Sequence, residues 1–424
     1  MNRVLTALII CLMAPAAAIA QQGTLPLKFS ELRELLLKNN PSLYYQKQAI
    51  KQEEAELLNT KAFSNPNISL SELNFWSSEK MKDLPPLWNG LSAPKQFSID
   101  LEQNLYTAGK RKKRIRLQQS AIKAEEIKHT ILTRESELFL KTLYHKLYRV
   151  NKEKQSFGNL NEQIQKLNES YQDPKLAKAI SRVDVLRINA EAKQVNRELT
   201  QIQLDSIEVL KELSTLLDTT ISAVDLNPPT LLQNLSSTHS NSGQFDSYHP
   251  LKELFDINQQ SAQESYSISK AERIPDVELQ LQYDRAGGVF DDYLGVGVSI
   301  DLPVFNRNKG SIQKAKIRQE TLAREIEIEK GQHKKRVDKL NKQIAKQHSV
   351  LEDYSEEFFL ELDETLLTHI SNLKAGNISL LVLMDYLNFY QETIQEHFEL
   401  LESYWNNIAL LEYETGMNYL SYEK

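Results

Sequence analysis

Two periodicities alternate along this chain. Four short stretches alternate apolar and polar residues, and each adjacent pair of stretches precedes a long segment with helical spacing. The cleanest is Leu294, Val296, Val298, Ile300 and Leu302, interleaved with Gly295, Gly297, Ser299 and Asp301. Val277, Leu279, Leu281 and Tyr283 repeat the pattern. Phe97, Ile99 and Leu101 interleave with Ser98, Asp100 and Glu102, and the stretch from Asn67 to Trp76 is the least regular. The spacing predicts strands over about 67–76, 96–105, 276–284 and 294–303. Each approaches the ~9 to 11 residues with which a tilted strand crosses a bilayer, with one face fit for lipid and one for water. Half-buried strands of a soluble sheet would show the same period.

The long segments carry a heptad. From Gly109 to Gln172 there is no proline, and apolar residues recur at Leu143, Val150, Phe157, Ile164 and Tyr171, with Leu160 and Leu167 between them. Val337, Ile344, Leu351 and Phe358, supported by Leu340 and Tyr354, repeat this later. Helices are expected over about 109–172 and 311–375, with returning helices over 181–217 and 379–416. At 1.5 Å per residue such a long helix spans ~95 Å, more than a compact domain of ~400 residues is wide. Gly158 and Gly331 lie inside as weak points rather than ends, each costing ~1 kcal/mol relative to alanine.

The two halves are a tandem duplication. Asn40-Pro41 and His249-Pro250 each open a helical stretch, and Pro66 and Pro275 each precede a strand; both pairs are 209 residues apart. Ser98-Ile99-Asp100-Leu101 recurs as Ser299-Ile300-Asp301-Leu302, and Ile180-Ser181 as Ile378-Ser379. The expected organisation is a first repeat over 21–218, a polar connector over 219–249 and a second repeat over 250–424.

Residues 1–20 read as a cleavable secretory signal, with Arg3, an apolar run from Val4 to Met13 and the small-residue site Ala18-Ile19-Ala20. Cys11, the single cysteine, follows Leu8-Ile9-Ile10 without the small residue that a lipoprotein signal places before its cysteine, so the exported chain is expected to be unlipidated and thiol-free. Beyond residue 20 no apolar run approaches the ~20 residues of a transmembrane helix, which leaves only a β-barrel as a bilayer-spanning device. Charged residues make up 25% of the chain and the net charge is −6, too mixed to point to nucleic acid.

Four strands cannot close a barrel, and an open edge in hydrocarbon leaves backbone groups unsatisfied at several kcal/mol each. Closure has to come from further copies. Three would give twelve strands, within the range of outer-membrane barrels, and two or four also satisfy the arithmetic.

With its strand-to-helix passages SIDLEQNLYTAGKRKKR and SIDLPVFNRNKG, the chain resembles the TolC-like outer-membrane efflux proteins, most of all the branch with the CzcC-type and CusC-type heavy-metal channels. The resemblance implies a mainly α fold with a small antiparallel β part. In it, each chain is the tandem-repeat protomer of a homotrimer, a twelve-stranded outer-membrane β-barrel continued by a long periplasmic α-helical barrel. Such a duct is passive and works with a periplasmic adaptor (membrane-fusion) protein and an inner-membrane transporter of the RND type, carrying heavy-metal cations or drugs outward. It also implies acidic rings at the closed periplasmic end. Aligned from Gly376, one ring position falls on Asp385 and the other on Val382. The same duct could serve type I protein secretion, and a periplasmic coiled-coil adaptor is the third reading.

Candidate site residues fall in two places. Lys110, Arg111, Lys112, Lys113, Arg114 and Arg116 crowd the start of a helix, where the dipole disfavours cations by ~0.3 to 1 kcal/mol each, so something local should offset them. Contact with anionic lipid headgroups is one reading and a solvated collar the other. Arg307, Lys309, Lys314, Lys316 and Arg318 are a weaker counterpart, and Trp76, Trp88, Phe97, Tyr106, Tyr283, Tyr293 and Phe305 flank the strands as interface aromatics would. At the far turns, Ser181 with Asp184 fits a capping box, while Gly376 can end a helix ahead of Ser379. These four are also candidates for the tip that docks the adaptor. The eight histidines and Met81, Met384 and Met417 show no metal-ligand spacing, and no phosphate loop or nucleophile elbow is present. Neither an enzyme nor a bound cofactor is expected.

Overall fold

The computed structural model describes residues 26–74, 96–172, 181–232, 250–285 and 292–423. The expected signal segment with Cys11, Trp76, Met81, Trp88, Ile180 and residues 233–249 of the expected connector lie outside the described residues. In chain order the elements are α1 (Phe29–Asn39), α2 (Pro41–Lys61), β1 (Asn67–Asn74), β2 (Gln96–Leu105), α3 (Lys110–Ser170), α4 (Arg182–Leu216), β3 (Thr230–Leu231), α5 (Pro250–Ala271), β4 (Val277–Asp284), β5 (Tyr293–Ile300), α6 (Lys309–Leu351), α7 (Glu356–Lys374), α8 (Leu380–Thr415) and β6 (Leu420–Ser421). They form two compact units, one from segments within 45–131 and 245–333, the other from segments within 1–44, 132–244 and 334–424.

The first unit holds an antiparallel sheet of order β1-β2-β4-β5, so the hairpin of each repeat contributes two strands and β2 pairs with β4 across the repeats. Period-two side chains fix that register, because a slip of one residue would turn every apolar side chain to the other face. β5 ends at Ile300 rather than near 303. Pro303 lacks an amide hydrogen and cannot donate to a continuing ladder.

The second unit is helical and packs two cores. One gathers Phe29 and Leu36 of α1, Leu140 and Tyr144 of α3, Leu213 of α4, Leu340 of α6 and Trp405 of α8. The other gathers Phe157, Ile164, Ile188, Leu366, Leu383 and Leu387. The seam residues Val150, Phe157, Leu160, Ile164 and Leu167 of α3 are fully buried. α3 runs unbroken through Gly158, and α6 through Gly331.

The helix expected over 311–375 is instead two helices, α6 and α7, parted at residues 352–355. Ser355 explains the restart: its Oγ accepts the Phe358 N–H at 3.1 Å, and Glu356 and Glu357 in the first turn favour the positive end of the helix dipole. The heptad phase is not carried across. Phe358 is only half-buried, and the core resumes at Leu362, Leu366, Ile370 and Leu373.

The start of the expected connector is not a loose linker either. Asp225 N–H donates to Leu27 O at 2.8 Å, Leu27 N–H donates to Ala223 O at 3.3 Å, and β3 pairs with β6. The chain end is tied down beside it, since the buried Glu412 carboxylate accepts the N–H groups of Tyr419 and Leu420 at 2.6 and 2.7 Å and pairs with Lys141 at 2.6 Å.

Candidate membrane-facing sheet and helical tip

The register sorts the strand residues onto two unlike faces. One carries Ile68 and Leu70, Ile99 and Leu101, Leu279 and Leu281, then Val296, Val298 and Ile300; the other carries Ser69, Asp100, Glu102, Glu278, Gln280, Gln282, Gly297 and Ser299. Period two alone makes this separation. The apolar face lies open: Val296 is 81% exposed, Ile68 70% and Val298 62%. Contiguous apolar surface of this kind marks a membrane or partner contact rather than a free surface. β1 and β5 are both edges of the sheet. Gln103 is the polar exception on the apolar side, and it donates to Ser64 O and Oγ, both at 2.9 Å. Of the flanking aromatics, Tyr106, Tyr293 and Phe305 are exposed, whereas Phe97, on the same face as Ile99, is buried against Tyr283.

The basic run at the start of α3 is mostly answered from within the chain. Lys110 is buried; its Nζ lies 2.8 Å from Asp276 Oδ1 and donates to Ile274 O at 2.7 Å. Burial alone would push the Asp276 carboxyl up, but hydrogen bonds from Lys110 and from the Thr107 N–H hold it below the usual carboxylate range. Arg116 reaches Glu264 at 3.3 Å, Arg114 reaches Glu272 at 3.8 Å, and Lys113 donates to Ser267 O at 3.4 Å. These contacts are the offset that cations at a helix start require. Lys112 is exposed. Arg111 donates to Lys61 O and lies over the Phe63 ring at 4.1 Å. Phe63 and Asp276 were not legible as partners: neither is near α3 in sequence, although an acid flanking the strand beside a basic run is a signal that could be sought.

At the tip, Ser181 caps α4. Its Oγ accepts the Asp184 N–H at 3.1 Å and its hydroxyl donates to Asp184 Oδ2 at 2.7 Å, while Arg187 lies 3.9 Å from Asp184. Gly376 ends α7 with φ +75°; its N–H donates to Leu373 O at 3.0 Å and the Asn377 N–H to Asn372 O at 2.8 Å. That is a Schellman ending, which needs a left-handed residue at this position. Ser379 precedes α8 without a side-chain cap bond. Asp385 is exposed on the second turn of α8 and, among the described residues, has no bonded partner. Two tyrosines tie α8 to α7 nearby, Tyr390 donating to Asp363 Oδ1 and Tyr386 to Leu362 O, each at 2.7 Å. No helix among the described residues is long and apolar enough to cross a membrane, and no group of three His, Cys, Asp or Glu side chains there could hold a metal ion.

No family model and no curated protein matches the sequence. Solved structures do match the fold. The outer-membrane protein VceC of Vibrio cholerae aligns at 15% identity with a TM-score of 0.72, covering 92% of this chain and 96% of its own. The CmeC outer-membrane channel of Campylobacter jejuni aligns at 13% identity and 0.72, covering 92% and 85%. CusC, a transmembrane channel, aligns at 16% identity and 0.68, covering 92% of each chain. The resemblance to TolC-like channels carried by the strand-to-helix junctions is borne out at the level of the fold.

Proposed function

We propose that three copies of this chain close a twelve-stranded barrel in the outer membrane, continued by a helical duct, and that the assembly is the passive exit channel of a tripartite efflux system. The observation that carries this is the two-faced sheet: an exposed apolar face, a polar face, and two edges, β1 and β5, that no further strand among the described residues covers. A soluble adaptor would leave that face bare to water. The shared fold with outer-membrane channels supports the same role. A periplasmic adaptor protein and an inner-membrane transporter of the RND type would feed the duct, docking at the turns around Ser181 and Gly376, and heavy-metal cations or drugs are its substrates. Purified in detergent, the particle should contain three chains; a stable monomer refutes the assembly.

Asp385 is the gate residue in this proposal. A three-fold axis would gather three of its carboxylates, which repel unless cations or protons intervene, so the ring should admit cations and be blocked by divalent ions. Asp184 is already committed to Ser181 and Arg187, whereas Asp385 has no such commitment. Single-channel recordings of Asp385→Asn should lose cation preference and divalent block. Unchanged selectivity there, with a change in Asp184→Asn, would reverse the assignment.

A further inference from the structure

A cleft of about 390 Å³ opens at the base of the first hairpin, lined by the end of α2, the turn after β2 and the first turns of α3. This lies within the ~300 to 1,000 Å³ of small-molecule sites. Its chemistry is unlike the rest of the collar. Arg111 and Arg114 both line it, with Phe63 and Tyr106 as aromatic walls; the Thr60 and Ser64 hydroxyls there already donate to Glu56 O at 3.0 Å and to Asn104 O at 2.7 Å. The Arg111 guanidinium lies over the Phe63 ring at 4.1 Å and that of Arg114 over the Tyr106 ring at 5.0 Å, so an aromatic face holds each planar cation at the cleft, Arg114 meeting Glu272 at 3.8 Å as well. Arg111 has no carboxylate partner among the described residues, and its Nε is a buried donor with nothing to donate to. The acid in the cleft, Glu56, accepts from Asn59 at 3.0 Å.

An unanswered donor on a cation at a helix start calls for an anion. Two features say what kind. Fork-shaped guanidinium donors match the tetrahedral oxygens of a phosphate. And the cleft opens where the apolar sheet face ends: Leu105 of β2 is exposed, Tyr106 follows it, and Phe63 is 71% exposed beside them. An anion that satisfied only the arginines would leave these rings in water.

We infer that this cleft is a phospholipid site, with Arg111 and Arg114 gripping the headgroup phosphate, Phe63 and Tyr106 flanking the glycerol region and the acyl chains lying along the apolar face of β1 and β2. The site rests on the outer-membrane placement proposed above and narrows the collar to two of its cations, since Lys110 is consumed by Asp276. A bound lipid would anchor the periplasmic side of the barrel without covalent lipidation.

The test uses the full chain purified in detergent, delipidated and titrated with three probes: phosphatidylglycerol, diacylglycerol with the same chains, and inorganic phosphate. Retention of phosphatidylglycerol in native mass spectra, at least about tenfold tighter than either other probe and weakened about tenfold in the Arg111→Gln/Arg114→Gln double variant, supports the site. Equal retention of diacylglycerol, displacement of the lipid by an equal concentration of inorganic phosphate, or undiminished binding by the double variant overturns it. A second measurement needs no variant: phosphatidylglycerol with a photoreactive group near its phosphate should label wild-type residues 59–64 or 106–114, and labelling confined elsewhere overturns the site. Membrane placement is read separately. Release by high salt alone would defeat the outer-membrane proposal, whereas a chain that needs detergent but is not labelled there defeats only the lipid site.

Discussion

The two repeats agree in their strands and part company in their long helices. Each repeat contributes a hairpin with the same apolar and polar faces, although the shared Ser-Ile-Asp-Leu passage lies in the first half of β2 and at the end of β5. The first long helix, α3, is one piece of 61 residues, whereas its counterpart is split into α6 of 43 and α7 of 19. A glycine did not cause the split. Gly158 is carried within α3, and the interruption falls where Ser355 and two glutamates supply a fresh helix start. A single poor helix former costs ~1 kcal/mol, which a long buried seam absorbs, while a well-formed cap stabilises the alternative end as well. Burial differs too. α3 buries Leu143, Tyr144 and His145 in succession, and α6 buries Ile344 but leaves Gln343, Ala345 and Lys346 exposed over the corresponding stretch.

The largest expected effect tests where the repeats agree. Val298→Arg, on the apolar face near the middle of β5, should cost ~2 to 4 kcal/mol per chain, and Ile99→Arg in the first repeat should act in the same direction, while Ser299→Arg on the polar face should be tolerated. Yields of assembled oligomer from membranes measure this; equal yields for Val298→Arg and Ser299→Arg would remove the facing assignment.

A pH effect tests the more deeply buried α3. His145 is fully buried between Asn406 Oδ1 at 2.8 Å and the Tyr422 hydroxyl at 2.9 Å, and desolvation pushes its pKa from 6.5 down to about 3. The unfolded chain therefore binds a proton that the folded chain refuses. Stability is full above pH 6.5 and falls as the pH drops toward the folded value, by ~2 kcal/mol at pH 5 from this group. His397 of the second repeat, held down to about 4 by burial, adds to the same slope. Unfolding midpoints between pH 7 and 5 should fall in wild type and fall less in His145→Gln, measured each against its own value at pH 7.

The smallest effect concerns the split itself. Ser355→Ala removes the cap on α7 and should cost ~1 kcal/mol. Amide exchange at Phe358 and Phe359 should quicken, with α3 amides unaffected; a change confined to α3 would show that the interruption is not held by this cap.

By itself the sequence determined whatever depends on spacing along the chain. The strands and their two faces follow from period two, the α3 seam from the heptad, and the Ser181 cap and Gly376 ending from residues within a few positions of one another. It also carried the resemblance that the shared fold supports. Ser355 was equally local, but the apolar heptad running through it masked the restart. Tertiary structure alone decided which partners meet across distance. Lys110 finds Asp276, Arg111 finds Phe63, Phe97 packs on Tyr283, and the segment after α4 threads between Leu27 and β6 instead of hanging free. Each of these is a contact between residues far apart in the chain, and their energy depends on burial and geometry that no periodicity records. A run of six like charges looks uniform on paper; only the fold separates Lys110, buried against Asp276, from Arg111, which lines an open cleft and meets no carboxylate among the described residues.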